Sequence, residues 1–565
     1  MDFLRKDEQS PIGWGKALLL LLVFSYLFIN TAWVTEDAFI TFRSVNQFLA
    51  GNGPVWNLGE RVQVYTHPLW YWLIVIGTGL GFESYWLVLA LSYVLLLAVL
   101  GLLLHLCRRW QLNGYLFLGL MFLLSLSRAF LDYSSSGLEN PLLHTLLLAY
   151  LAVYFSAAPL AKRFSWTTFI YGLAFLTRPD GVILLTPTSV YLWILMLKQK
   201  TPWLKPALLA LSPVIAWELF SLLYYGSLVP NTALAKVNID YPREVLNGNA
   251  WNYFALSWDF DPLTLGTIIL ALLAGFIVGL RRDDSDMDST LLATGLALQI
   301  AYIFRVGADY MLGRFLSASV LLAIVLLALL LKGWRGRLQW RELINSNSPE
   351  RFGLLLLLVL LGREALRSRN YPSNLDYHNP TITHGIADEH GFYHQRLGMM
   401  PVLRKLGGQF AVWGGNFEAE IVTDCFVGMS AWLRPLQQQV IDPLALTEPF
   451  LARLPARHNA RIGHYERAFP RGFLASRRDG NNQLWAPELG QLYDDVNLVT
   501  RSPNLFSGER LAAIWRLNTG HYRDIGRYFD RDDVNLRDLG AADREMREAL
   551  HNYTLTVCMK SQVVR

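Results

Sequence analysis

Charge is scarce in this sequence: 17% of its 565 residues are Asp, Glu, Lys or Arg, below the usual share of a soluble protein, while 53% are hydrophobic. That balance points to lipid as the main solvent. The net charge of +5 gives no argument for a nucleic-acid partner, because much of it sits in short basic loops between apolar runs. Cysteine is limited to three residues: Cys107 at one end of an apolar run, with Cys425 and Cys558 in the polar C-terminal part. An oxidising compartment could join the last two, although spacing alone also allows two unpaired thiols. His458, His464 and Asp442 do not have metal-ligand spacing, so no metal residues are assigned, and metal dependence stays open. No repeat relates the two halves, which argues against a transporter built from inverted repeats.

Apolar runs of near-spanning length recur from Ala17 to about Leu361, and polar residues then take over. The run Ala17 to Trp33 lacks a small-residue cleavage site and is expected to be a retained span, with Arg5, Lys6 and Lys16 on its cytoplasmic side. Basic clusters at Arg108 and Arg109, Lys162 and Arg163, Lys198 and Lys200, Arg281 and Arg282, and Lys332 to Arg341 mark further cytoplasmic loops. The chain must cross out and back between them, which predicts spans near 84–106, 114–131, 139–156, 166–178, 182–198, 204–225, 263–280, 290–304, 312–331 and 353–363. With the first run that makes about 11 spans, and an odd count leaves the tail opposite the N-terminus. Pro68 to Gly81 would reach only ~21 Å as a helix against roughly 30 Å of hydrocarbon, so it is expected to lie flat at the interface. The expected organisation is a polytopic α-helical membrane domain over 1–363, with two interfacial helices in its first outer loop. A soluble mixed α/β or β-rich domain over 364–565, possibly glycan-binding, follows it.

The first outer loop reads TEDAFITFRSVNQFLAGNGPVWNLGERVQVYT over residues 35 to 66. Thr35 is the expected N-cap, with Glu36 and Asp37 in the first turn of a helix ending near Gly51. Phe39, Phe42, Val45 and Leu49 share one face of it, and Asp37, Thr41 and Ser44 the other. Carboxylates at a membrane surface can be tuned for proton transfer, although complementing a helix dipole is an equally simple use of them. Other segments on the same side are SSSGLEN (134–140), TRPDG (177–181), GSLVPNTALAKVNID (226–240) and RVGADYMLGRF (305–315). They supply ionisable groups at span ends: Glu139, Arg178, Asp180, Lys236, Arg305, Asp309 and Arg314, with Glu218 inside a span. Arg178, Lys236, Arg305 and Arg314 are the cations available for a lipid phosphate, though each could equally be a snorkelling anchor or a carboxylate's partner.

The acidic pair after the first span, AGNGPVWN, GERVQVYTHPLW, SGLE, TRPDG and GADYMLGRF together resemble the GT-C polyprenyl-phosphate-sugar glycosyltransferases. The tail segments HNARIGHYERAFPRGFL (458–474) and LYDDVNLVTRSPNLFSGERL (492–511) resemble more narrowly the terminal arabinofuranosyltransferases of mycobacterial cell walls and Gram-negative pilins. The resemblance covers nearly the whole chain. It departs at GERVQVYTHPLW, where Gln63, Val64 and His67 stand in place of the family's Glu, Gly and Asn. It implies an extracytoplasmic active site in the bacterial inner membrane and a polyprenyl-phosphate arabinose donor in place of a nucleotide sugar. The implied acceptor is a glycan or pilin. Asp37 takes the place of the family's catalytic base, with Glu36 its neighbour and possible substitute. Arg314 is implied to meet the donor phosphate, and Asp309 to orient sugar hydroxyls or Arg314. Glu139, Asp180 and His67 are further substrate-binding candidates. Two other readings stay open, a transporter of lipid-linked sugar or polysaccharide and a non-catalytic glycan-binding protein; turnover of a polyprenyl phosphate separates them from the enzyme.

Overall fold

The computed structural model describes residues 12–237, 239, 241–280, 287–332, 382–406, 421–456 and 462–525. Several expectations lie outside these residues: Arg5, Lys6, Arg281, Arg282, the cluster after Lys332, the span 353–363, His458 and Cys558.

The described chain is mostly helix. Five stretches are long and apolar enough to cross a membrane: Trp14–Thr31, Ser84–Arg109, Pro179–Lys198, Pro262–Gly279 and Met287–Val306. The broken pair Leu204–Ala210 and Ser212–Tyr224 makes a sixth if it counts as one span, and Pro68–Gly79, Gly114–Leu126, Asn140–Tyr154 and Arg314–Leu330 are shorter apolar helices. Large apolar side chains point outward from several of these, Leu22 and Tyr26 on the first, Val94 on the second and Phe122 on a shorter one. A protein in water would bury them, and lipid accepts them at no cost. This is a membrane protein.

By backbone proximity the chain forms two compact units. One comprises Met1–Val34, Val88–Ser212 and Leu246–Phe410, and the other Thr35–Leu87, Pro213–Val245 and Ala411–Arg565. In the first unit the helix Ser317–Leu330 is buried on nearly every side. Its sequence, SASVLLAIVLLALL, has no polar face after its first turn, as expected of a helix with neighbours all round. The early tail belongs to this unit. Ile382–Thr383 and Ile386–Ala387 form a small antiparallel pair, and Ala387 exchanges backbone bonds with Tyr310 and Leu312 in the GADYMLGRF loop. Trp33 stacks on Tyr393 and donates its indole N–H to the Asp132 carbonyl.

In the second unit the first-loop helix runs over Ala38–Leu49 and the next helix over Pro68–Gly79. The tail adds a parallel pair, Ile421–Thr423 with Gln439–Ile441, and the helices Met429–Trp432, Phe473–Asp479, Pro487–Arg501 and Gly508–Asn518. Strands are thus minor among the described tail residues.

Some elements differ from expectation. The N-cap of the first-loop helix is Asp37 and not Thr35, because a turn with Ala38 N–H on the Thr35 carbonyl puts both acidic residues ahead of the helix. That helix has no open polar face: residues 38 to 45 are all buried, Thr41 and Ser44 included, while Leu49 is exposed. The helix expected at 166–178 begins at Leu160 and takes in Lys162 and Arg163. An unforeseen helix, Arg243–Phe260, follows the long loop.

Candidate active-site elements in two units

In the second unit the two adjacent carboxylates have different surroundings. Glu36 Oε1 accepts the backbone N–H groups of Gly428 and Met429 at 2.6 and 3.0 Å, which caps the short helix Met429–Trp432. Seven residues on, within the first-loop helix, buried Arg43 donates to the carbonyls of Ala431, Arg434 and Gln438 at 2.5, 3.3 and 2.9 Å. The first-loop helix therefore satisfies both ends of the tail helix, a negative group at its N-terminus and a positive one at its C-terminus. Gly428 admits no side chain, since a Cβ there would run into the carbonyl and carboxylate of Glu36. Asp37 is half-buried, and its carboxylate makes no capping bond to the helix it heads. One turn on, Thr41 Oγ1 lies 3.0 Å from His67 Nε2.

The GERVQVYTHPLW motif is anchored to the tail in the same unit. Glu60 is paired with Arg477 at 2.7 Å and Arg501 at 3.1 Å, and Arg477 also faces Glu448 at 3.6 Å. Burial alone would raise the Glu60 carboxyl, but the two guanidinium groups outweigh it and hold it down to about 2. Burial pushes Glu448 up to about 7, with Arg477 only partly opposing it and Glu60 adding to the rise. The Asn57 amide exchanges two 3.1 Å bonds with the backbone of Val440, taking the place of a further strand beside Gln439–Ile441. Lys236 is half-buried on the short helix Asn231–Val237.

In the first unit the candidates meet at helix ends. Glu139 precedes the helix Asn140–Tyr154, Arg178 ends the helix Leu160–Thr177, and Arg314 opens the turn before Ser317–Leu330. A proline follows Arg178 and another stands in the first turn after Glu139, so local sequence stops or starts the helix where the charge sits. Glu139 Oε1 is shared by Arg178 at 3.3 Å and Arg314 at 3.1 Å. Arg178 also holds Asp180 at 3.0 Å, and Asp309 lies 3.8 Å from Arg314. Ser317 joins the segments, donating to the Arg314 carbonyl at 2.9 Å and accepting from Asn140 at 3.1 Å. Glu139, Arg178, Asp180, Asp309 and Arg314 thus form one cluster, with three carboxylates against two guanidinium groups. The arginines are already paired, so an incoming phosphate must displace a carboxylate or bring a cation with it. Arg305 is exposed in the last turn of Met287–Val306.

Sequence reasoning missed a second group in this unit. Arg128 lies 3.3 Å from Asp388 and 3.8 Å from Asp132, and Asp132 lies 3.5 Å from His390. Burial brings the His390 imidazole down to about 4. Arg128, Asp132, Asp261, Asp388 and Ser257 line a small pocket that also touches Gly313, next to Arg314. A signal was present: Arg128 is an arginine inside an otherwise apolar predicted span, and it has an acid four residues on. Among the described residues no group of His, Cys, Asp and Glu is arranged to hold a metal ion.

No protein-family model matches the chain, and no solved structure matches it. Two curated proteins do, both named terminal β-(1→2)-arabinofuranosyltransferase. The one from Mycobacterium tuberculosis is 26% identical over 578 aligned residues, covering 86% of this chain and 89% of that protein. The one from Corynebacterium glutamicum is 30% identical over 324 residues, half of this chain and 46% of its own length. The chain is thus a homologue of the terminal β-(1→2)-arabinofuranosyltransferases, similar to the mycobacterial one along nearly its whole length.

Proposed function

We propose that this protein is a glycosyltransferase that moves arabinofuranose from a polyprenyl-phosphate donor to a hydroxyl of an extracytoplasmic glycan or pilin, with Asp37 as the base. In the step, the acceptor oxygen bonds to the anomeric carbon as its proton passes to Asp37. The bond from that carbon to the phosphate oxygen breaks, and the polyprenyl phosphate leaves with the electron pair. The observation that carries the choice of base is the division of labour at residues 36 and 37. Glu36 is held by two backbone N–H groups of the tail, which ties it to a structural role and leaves Asp37, the residue in the place of the base by resemblance, as the member of the pair proposed to take the proton. The name shared by the homologues supports the sugar.

Arg314 and Arg178 are the proposed phosphate ligands, one of them exchanging Glu139 for the donor. Asp180 and Asp309 then keep each arginine oriented. Lys236, Arg305 and His67 remain candidates for substrate contact. Purified protein given polyprenyl-phosphate arabinofuranose and an arabinan acceptor should release polyprenyl phosphate and lengthen the acceptor by one pentose. Release of the lipid without a new glycosidic bond, or no turnover with any lipid-linked pentose, would overturn the reading.

A further inference from the structure

The helix Gly508–Asn518 divides its surface three ways. Its inner side buries Arg510, Ala513 and Ile514. Its outer side splits along the axis: Leu511 and Trp515, four residues apart, form one flank, and Glu509 and Arg516 the other. Trp515 is 70% exposed, Leu511 41%, and Phe506, just before the helix, 68%. These are large apolar groups to leave in water.

The inner side is fastened to the end of a predicted span. Arg510 donates to the carbonyls of Leu223 and Tyr224 at 2.8 and 3.0 Å, the last residues of the apolar helix Ser212–Tyr224. Asn518 donates to the Gly226 carbonyl at 2.8 Å. Gly226 has a φ of +77°, and a Cβ there would strike Val499, so the backbone turns directly against the tail. Leu222 packs into the small core of Val499, Ala513 and Ile514. Ile215, Leu219 and Leu223, at four-residue spacing on the apolar helix, are exposed and form a lipid-facing stripe that ends at the level of these contacts.

We propose that Phe506, Leu511 and Trp515 seat the tail in the lipid headgroup layer where the helix Ser212–Tyr224 leaves the bilayer. The chemistry suits that layer: aromatic rings prefer the boundary between hydrocarbon and water, and on the other flank Glu509 is exposed while Arg516 pairs with Asp495 at 2.6 Å. The partner is the lipid surface itself, and the inference is independent of sugar transfer.

Site-directed spin labelling of the full chain in lipid nanodiscs tests it. Unreduced protein is suited to labelling at an added cysteine, because Cys107 is buried and Cys425 is disulfide-bonded. Labels at Leu219→Cys, Glu509→Cys, Leu511→Cys and Trp515→Cys are compared for collision with oxygen and with a water-soluble nickel chelate. The inference expects position 219 to read hydrocarbon, 511 and 515 to read the headgroup layer, and 509 to be several-fold more accessible to nickel than 515. Aqueous readings at 511 and 515, matching free label in buffer, overturn it. An aqueous reading at 219 overturns it as well, by removing the span on which it rests.

Discussion

Glu139 accepts from two arginines with one oxygen, so removal of one arginine leaves it a partner. Arg314→Ala leaves Glu139 paired with Arg178, and the fold should survive. A charge-assisted hydrogen bond is worth ~1.5–3 kcal/mol, so if Arg314 meets the donor phosphate its removal should raise the donor KM by roughly 10- to 100-fold. An unchanged KM would make Arg314 a structural partner of Glu139. These residues were legible in the sequence because ionisable groups at span ends are costly and stand out. Their mutual pairing was not, since Glu139, Arg178 and Arg314 are far apart in the chain and only folding brings them to one oxygen. The surroundings of Glu36 were not legible for a similar reason: they include two N–H groups contributed by residues 428 and 429.

Among the elements, the most consequential contact is that of the first-loop helix with Met429–Trp432. Gly428→Ala should push the Glu36 backbone away and disturb Asp37 beside it, lowering kcat at least tenfold with little change in donor KM, as steady-state kinetics would show. The tail's acid pair gives a pH test. Glu448 has a folded pKa of about 7, above the ~4.3 of an unfolded glutamate, so between these values the folded chain binds more protons and gains stability as pH falls. Asp442, pushed up to about 7 by burial, adds in the same sense, and the two acids together outweigh His390, whose imidazole, brought down to about 4, opposes them below ~6.5; Glu60 loses its contribution only as pH falls toward about 2. The thermal midpoint in detergent should therefore be higher near pH 5.5 than near pH 7.5, and Glu448→Gln should narrow that difference. An equal or lower midpoint at the acidic pH would contradict the assignment. Helix positions were largely readable from apolar runs. The first-loop helix was expected too, but its burial was not: a 3,3,4 apolar pattern shows one inward face, and Arg43 reveals that the other is covered only through distant carbonyls.

On the scale of the whole molecule, polarity along the chain drew a boundary near residue 363, and the compact units cut across it: residues 382–406 join the first unit and 421–525 the first loop. Hydropathy reports the solvent around a segment and carries no information about which loop it folds against. The sulfur chemistry is open to direct counting. Cys425 is disulfide-bonded and Cys107 is a buried free thiol, so denatured, unreduced protein should label at one cysteine of the three, and at all three after reduction. Labelling of Cys425 without reductant would exclude the bond.

The central claim is that Asp37 takes the acceptor's proton while Glu36 holds the tail. The direct test is the turnover number of Asp37→Asn beside Glu36→Gln, measured with the lipid-linked donor saturating. Asn keeps the shape of Asp but cannot accept the proton, so the account predicts a loss of ~10²–10⁴-fold with the donor KM nearly unchanged. Gln at position 36 can still accept the two backbone N–H groups and should stay within about tenfold of the parent, because only the charge assistance of those bonds is lost. Parental turnover by the Asn variant, or a loss at Glu36→Gln as large as that at Asp37→Asn, would contradict it.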